Sequence, residues 1–202
     1  MPIRAVVFDI GGVLESTPST GWVGVWEARI GLRAGELGER TADLWAAGSL
    51  GTMSEAEVRR GAAERLGLDE GAADALMADI WDEYLGTLNV ELAKFVRGLR
   101  PRYRTAIISN SFVGAREREQ ERYGLEDIAD VIVYSHEVGI SKPEPRIYLL
   151  ACERLGVKPE ESIFVDDVEE NVDAARIVGM HGVLFLDTSQ AIADIEALLS
   201  TR

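Results

Sequence analysis

Five short runs in this chain are almost continuously apolar rather than alternating: Ile3 to Phe8, Thr105 to Ile108, Val131 to Tyr134, Ser162 to Val165 and Gly182 to Leu186. A strand with one wet face alternates apolar and polar residues. A strand that is apolar on both sides must be covered on both, as in a parallel sheet between layers of helices. The intervening segments supply those helices. Leu88, Leu92, Phe95, Val96 and Leu99 share one helical face. Ile147, Leu150, Ala151 and Leu155 form a second that stops at Gly156, and Val168, Val172, Ala175 and Val178 a third closed by Gly179. The pattern predicts an α/β fold with a doubly wound parallel sheet.

One stretch interrupts it. Residues 15–87 pass without a recognisable strand but carry helical faces such as Leu76, Ile80 and Tyr84. They also hold a capping-box signature, Ser54-Glu55-Ala56-Glu57, ahead of Val58, Ala62 and Leu66. The expected organisation is a core of residues 1–14 and 88–202 with a helical subdomain inserted after the first strand. An insertion there overhangs the carboxyl edge of the sheet, which is where such folds bind ligands.

Four polar segments fall at or just beyond strand ends. Phe8-Asp9-Ile10-Gly11-Gly12 follows the first run, Ile108-Ser109-Asn110-Ser111 the second, and Ser141-Lys142-Pro143-Glu144-Pro145 lies after the third. Phe164-Val165-Asp166-Asp167 closes the fourth. Carboxylates at the ends of two buried strands would meet at one sheet edge, and three close anions require a cation. Asp9, Asp166 and Asp167 are therefore candidate ligands of a hard metal, and Asp9, ionised at neutral pH, is a candidate nucleophile.

These four segments, in this order and with a helical insertion after the first, resemble the haloacid dehalogenase-like hydrolases, and the resemblance covers essentially all 202 residues. It implies a Rossmann-like core, a cap of the C1 type at 15–87, and magnesium-dependent hydrolysis of a small phosphorylated metabolite. On the residues that match, Asp9 would form an aspartyl-phosphate, while Asp9, the backbone carbonyl of Gly11, Asp166 and Asp167 would hold Mg²⁺. Lys142 and Ser109 would neutralise and hydrogen-bond the phosphoryl group, with Asn110 assisting. Gly11, Gly12, Ser109, Asn110 and Lys142 would line the phosphate position. Asn171 would orient the acidic loop or begin the following helix.

The chain departs from the usual phosphatase pattern at Gly11, where a second aspartate commonly serves as general acid and base. Losing such a group costs on the order of 10²–10⁴ in rate unless another substitutes. Glu15 is near enough in sequence to be a substitute or a plain hinge residue. The glycine variant is similar to a branch that includes sugar-phosphate phosphatases such as glucose-1-phosphate phosphatase. True 2-haloacid dehalogenases also lack the second aspartate, but they need no metal and do not carry the acidic pair. A metal-independent dehalogenase and a silent, ligand-binding member remain the alternatives. A phosphotransfer receiver is disfavoured, because its acidic pair lies near the first strand and it has no seventy-residue insertion.

Composition narrows the partners. Thirty-five acidic against 21 basic residues give a net charge of −14, the wrong sign for binding nucleic acid or anionic lipid. No apolar run approaches the ~20 residues of a membrane span, and Met1-Pro2-Ile3-Arg4 lacks the apolar stretch of a signal peptide. A cytoplasmic monomer or homodimer is expected. Cys152, the one cysteine, is expected as a core side chain, His136 and His181 in local structural roles, and the charged run Arg116 to Arg122 as a solvated helix face. Of Trp22, Trp26, Trp45 and Trp81, one or two at most are expected to face the site.

Overall fold

The computed structural model describes residues 1–200. In chain order the elements are β1 (Ala5–Phe8), β2 (Glu15–Ser16), α1 (Trp22–Ile30), α2 (Glu36–Ser49), α3 (Glu55–Leu66), α4 (Glu70–Tyr84), β3 (Thr87–Leu88) and α5 (Val90–Leu99). Then follow β4 (Arg104–Ser109), α6 (Ala115–Tyr123), β5 (Val131–Tyr134), α7 (Ser135–Val138), α8 (Pro145–Leu155), β6 (Ser162–Asp166), α9 (Glu169–Ile177), β7 (His181–Leu184) and α10 (Thr188–Ser200). Five strands form a parallel sheet in the order β5-β4-β1-β6-β7. This is the Rossmann-like winding, in which successive strands step outward from β1 on one side and then on the other, so the reversal lies between β1 and β6.

The continuous apolar runs are explained by two-sided burial. Val6 and Phe8 of β1, with Ile107, Ile163 and Val165, point into one core that α5 and α10 complete through Leu92, Val96, Ala191 and Ile195. Ala5, Val7, Ala106, Ile108 and Phe164 point the other way, against Ile147, Ala151, Cys152 and Leu155 of α8 and Ala174 and Ala175 of α9. Cys152 is buried and serves as core. Two boundaries differ from expectation. Leu88 belongs to β3 rather than to α5, which Asn89 caps by accepting from Leu92 N at 3.1 Å. The last strand ends at Leu184, which pairs with Asp166, the final residue of β6.

Helices α1 to α4 make an inserted helical cap with its own core of Trp26, Leu37, Leu44, Val58, Leu76 and Trp81, joined by Phe112 and Ala115 from the segment after β4. The expected capping box starts α3: Ser54 Oγ accepts from Glu57 N, and Glu57 Oε2 accepts from Ser54 N at 2.8 Å. The chain enters and leaves the insertion through β2 and β3, which pair antiparallel. Strands of two residues are too short to show a period, which is why the sequence pattern does not reveal them. Among the described residues no helix is long and apolar enough to cross a membrane.

Candidate active site

Asp9 follows β1 directly, and its backbone N–H bonds to Val165 O at 2.9 Å, so the strand register fixes it beside the end of β6. Asp166 closes β6, and both carboxylates therefore emerge where the sheet reverses direction. Carboxylate oxygens of Asp9, Asp166 and Asp167 all lie within 4.8 Å of one another. Lys142 comes in from the loop before α8, buried, with Nζ 2.6 Å from Asp9 Oδ1 and 2.7 Å from Asp166 Oδ2. One ammonium against three carboxylates leaves negative charge uncompensated.

Each partner is held by others. Asp166 is fully buried; its Oδ1 accepts from Val168 N at 2.8 Å and from Asn171 Nδ2 at 3.1 Å, and the same amide reaches Oδ2 at 3.1 Å. Asn171 thus orients the acidic loop, and Tyr148 Oη donates to its carbonyl. Asn110 is committed to Lys142: its amide donates to Lys142 O at 2.9 Å and its carbonyl accepts from Lys142 N at 2.8 Å. Ser109 ends β4, buried, on the wall of the same cavity. At Gly12 the backbone has φ of +76°, and a Cβ would fall 2.1 Å from Asp167 Oδ2, so only glycine admits the acidic loop this close.

Asp9 Oδ1 carries both the Lys142 contact and a hydrogen bond from Ile10 N at 2.7 Å. Oδ2 is left for chemistry. Burial, the largest influence, and the neighbouring Asp166 push the Asp9 carboxyl up to about 6, while Lys142 pulls it down. Burial also raises Asp167, with Asp166 adding to the effect.

A cavity of about 890 Å³ opens over Asp9, lined by Gly11, Gly12, Ser109, Asn110, Lys142 and Asp167 at its base. Glu15, Thr17, Tyr84, Asn89 and Glu119 form its upper wall. None of the four tryptophans lines it. Trp26, Trp45 and Trp81 instead donate their indole N–H groups to Asp79, Thr41 and Glu55 inside the cap. The aromatic contribution from the cap is Tyr84.

The charged run on α6 is a solvated face only in part: Glu117, Glu121 and Arg122 are exposed, whereas Arg116, Arg118 and Gln120 are half-buried and Glu119 is buried. Arg118 reaches Glu55 of α3 at 2.9 and 3.1 Å and lies 4.0 Å over the Trp81 ring, Arg122 donates to Gly86 O, and Glu119 is only 1% exposed. Residue types alone gave no signal of this, because the cap that buries the helix is distant in sequence. The histidines sit outside the cavity: His136 Nδ1 lies 2.7 Å from Ser111 Oγ, and His181, the first residue of β7, touches Glu160 O.

The sequence model of the haloacid dehalogenase-like hydrolases matches residues 3–179. The chain is 28% identical over 208 residues to acyl-CoA dehydrogenase family member 10 of Mus musculus, covering 97% of this chain but only 19% of that protein. It is 30% identical over 192 residues to phosphatase MT3486 of Mycobacterium tuberculosis, covering 91% of this chain and 88% of the relative. A haloacid dehalogenase family enzyme of Bacteroides thetaiotaomicron, solved in complex with magnesium and inorganic phosphate, superposes with a TM-score of 0.75 at 24% identity, over 90% of this chain and 93% of that one.

Proposed function

Because the chain belongs to the haloacid dehalogenase-like hydrolases, we propose that it hydrolyses small phosphomonoesters with Mg²⁺ through an aspartyl-phosphate on Asp9. The observation that carries this reading is the nucleophile's setting: Asp9 lines the cavity with Oδ1 pinned by Lys142 and Ile10 N, and two further carboxylates stand beside it.

The donor set fits magnesium. It offers the carboxylate oxygens of Asp9, Asp166 and Asp167, and its excess negative charge asks for a small hard dication. Asp9, Asp166, Asp167 and the Gly11 carbonyl would hold the ion. When bound it supplies charge neutralisation for an anionic substrate. Lys142 balances the nucleophile and draws in a phosphoryl oxygen, Ser109 offers a hydroxyl to the same group, and Asn110 fixes the Lys142 backbone. The magnesium and phosphate bound by the Bacteroides enzyme support this assignment, as does the phosphatase relative. Hydroxyls on the cavity wall, from Thr17, Thr87 and Thr188, favour a polyhydroxylated leaving group such as a sugar.

The acidic cluster weighs against metal-independent dehalogenation, which has no use for two extra carboxylates next to its nucleophile. Steady-state hydrolysis of p-nitrophenyl phosphate and of hexose 1- and 6-phosphates, with and without Mg²⁺, tests the reading. Turnover should require the ion and vanish in Asp9→Asn. Halide release from a 2-chloro acid without metal would overturn it, and metal binding with no ester turned over would favour a silent member.

A further inference from the structure

Position 11 has no side chain to move a proton, although a Cβ there would meet nothing nearer than Thr17 Oγ1 at 4.0 Å. The cavity must find its acid elsewhere, and its wall holds two buried carboxyls, Glu15 and Glu119. They are not equivalent. Burial raises the Glu15 carboxyl, but it is opposed by Thr17 Oγ1, which donates to Glu15 Oε1 at 3.0 Å, by the Gly86 N–H and by the positive charge of Arg122.

Glu119 has no cation beside it among the described residues, although its own helix carries three. Arg116 is turned to Glu137 and Glu126, Arg118 to Glu55 and Arg122 to Gly86 O. Glu119 Oε2 accepts from Tyr134 Oη at 2.6 Å, and the Tyr84 hydroxyl faces the same carboxyl. The groups around it are Tyr134 from β5, Tyr84 from α4, Glu15 from β2 and Asp9 beyond β1. None of these is positive.

We propose that Glu119 is the catalytic acid and base of this site, giving a proton to the leaving oxygen and recovering one from water; the inference rests on the phosphatase reading above. Burial is the main cause that raises its carboxyl to about 7, with Glu15 and Asp9 adding and the tyrosine hydroxyls opposing. A carboxyl poised near neutrality carries a proton to give and can hold one afterwards. In the first half-reaction a bond forms between Asp9 Oδ2 and phosphorus, the bond from phosphorus to the ester oxygen breaks, and that oxygen takes the Glu119 proton to leave as an alcohol. In the second, water attacks phosphorus as Glu119 takes one of its protons. The Asp9 bond to phosphorus then breaks, and phosphate departs with Asp9 and protonated Glu119 restored.

The test is leaving-group dependence. p-Nitrophenolate leaves without a proton, whereas the alkoxide of glycerol phosphate does not. Because kcat/KM reports only the steps through departure of the leaving group, and not hydrolysis of the shared Asp9 phosphate, Glu119→Gln should lower kcat/KM for glycerol phosphate by on the order of 10²–10⁴ and for p-nitrophenyl phosphate by only a few-fold. The wild-type rate on glycerol phosphate should fall as pH rises through about 7, and that limb should be missing in the variant. Equal losses on both esters, no loss on either, or the selective loss appearing in Glu15→Gln instead would each overturn the proposal. If the wild type turns over neither ester, the phosphatase reading fails first and this one with it. A ¹³C carboxyl titration identifies the Glu119 signal by its absence in Glu119→Gln. A midpoint near an ordinary glutamate would refute the role even in an active enzyme.

Discussion

Lys142 is the residue on which the site's electrostatics turn, since it is the one cation set between Asp9 and Asp166. Removing one partner of a buried ionic group strands the other and costs about 3–5 kcal/mol. Lys142→Met should therefore lower the melting temperature markedly in EDTA, and saturating Mg²⁺ should recover much of the difference by supplying another cation. A loss of equal size with and without the ion would show that Lys142 acts through packing instead. Glu119 makes the opposite kind of contribution. Its carboxyl is raised from 4.5 to about 7 in the folded state, so its stabilisation is complete at low pH and is lost as pH rises through that window. Glu119→Gln should match the wild type near pH 5 and exceed it by a few kcal/mol near pH 8, read as the pH dependence of thermal unfolding. Asp9 and the pair Asp166-Asp167 were legible in the sequence because they follow apolar runs directly, and run ends of parallel strands share one edge; Ser109 and Lys142 stood out only through the resemblance of the four ordered segments to the family. Glu119 was not legible, because nothing in Arg116 to Arg122 distinguishes the position that folding buries between Tyr134 and Tyr84.

Among the elements, α6 holds the cap to the core. Arg118 clasps Glu55 with two nitrogens over the Trp81 ring, the indole N–H of Trp81 joins the same carboxylate, and Phe112 enters the cap's own core. Phe112 lies so close to Gly48 that a Cβ there would fall 2.2 Å from its ring. Glu55→Ala should cost about 1–3 kcal/mol, by leaving the Trp81 indole N–H unpaired and Arg118 with Gly114 O alone. Amide exchange should quicken in α3 and α4 while β1, β4 and β6 keep their protection; uniform acceleration would mean that cap and sheet open as one unit. Strand existence and order were readable from apolar runs several residues long. The facing of the cap tryptophans was not, because helices that pack on each other from several sides lack a single outward stripe.

The molecule as a whole carries a net charge of −14, and its proposed substrate is an anion. The long-range field opposes encounter even where Lys142 and a bound ion favour it locally. At fixed saturating Mg²⁺, kcat/KM for a phosphate ester should rise severalfold as the ionic strength goes from about 0.01 to 0.15 M, with kcat little changed. A fall would mean that the cavity mouth attracts anions despite the total. The paired strands β2 and β3 bring the two ends of the four-helix insertion to adjacent backbone positions, Glu15 opposite Leu88 and Ser16 opposite Thr87, about 5 Å apart. A turn could bridge that gap. Replacing the insertion need not alter the register of β1, β4 and β6, which positions Asp9 and Asp166, although Phe112, Ala115 and Arg118 would lose the cap they pack against. The exchange would also remove Tyr84 from its place beside Glu119, leaving Tyr134 of β5 as the hydroxyl that holds this carboxyl.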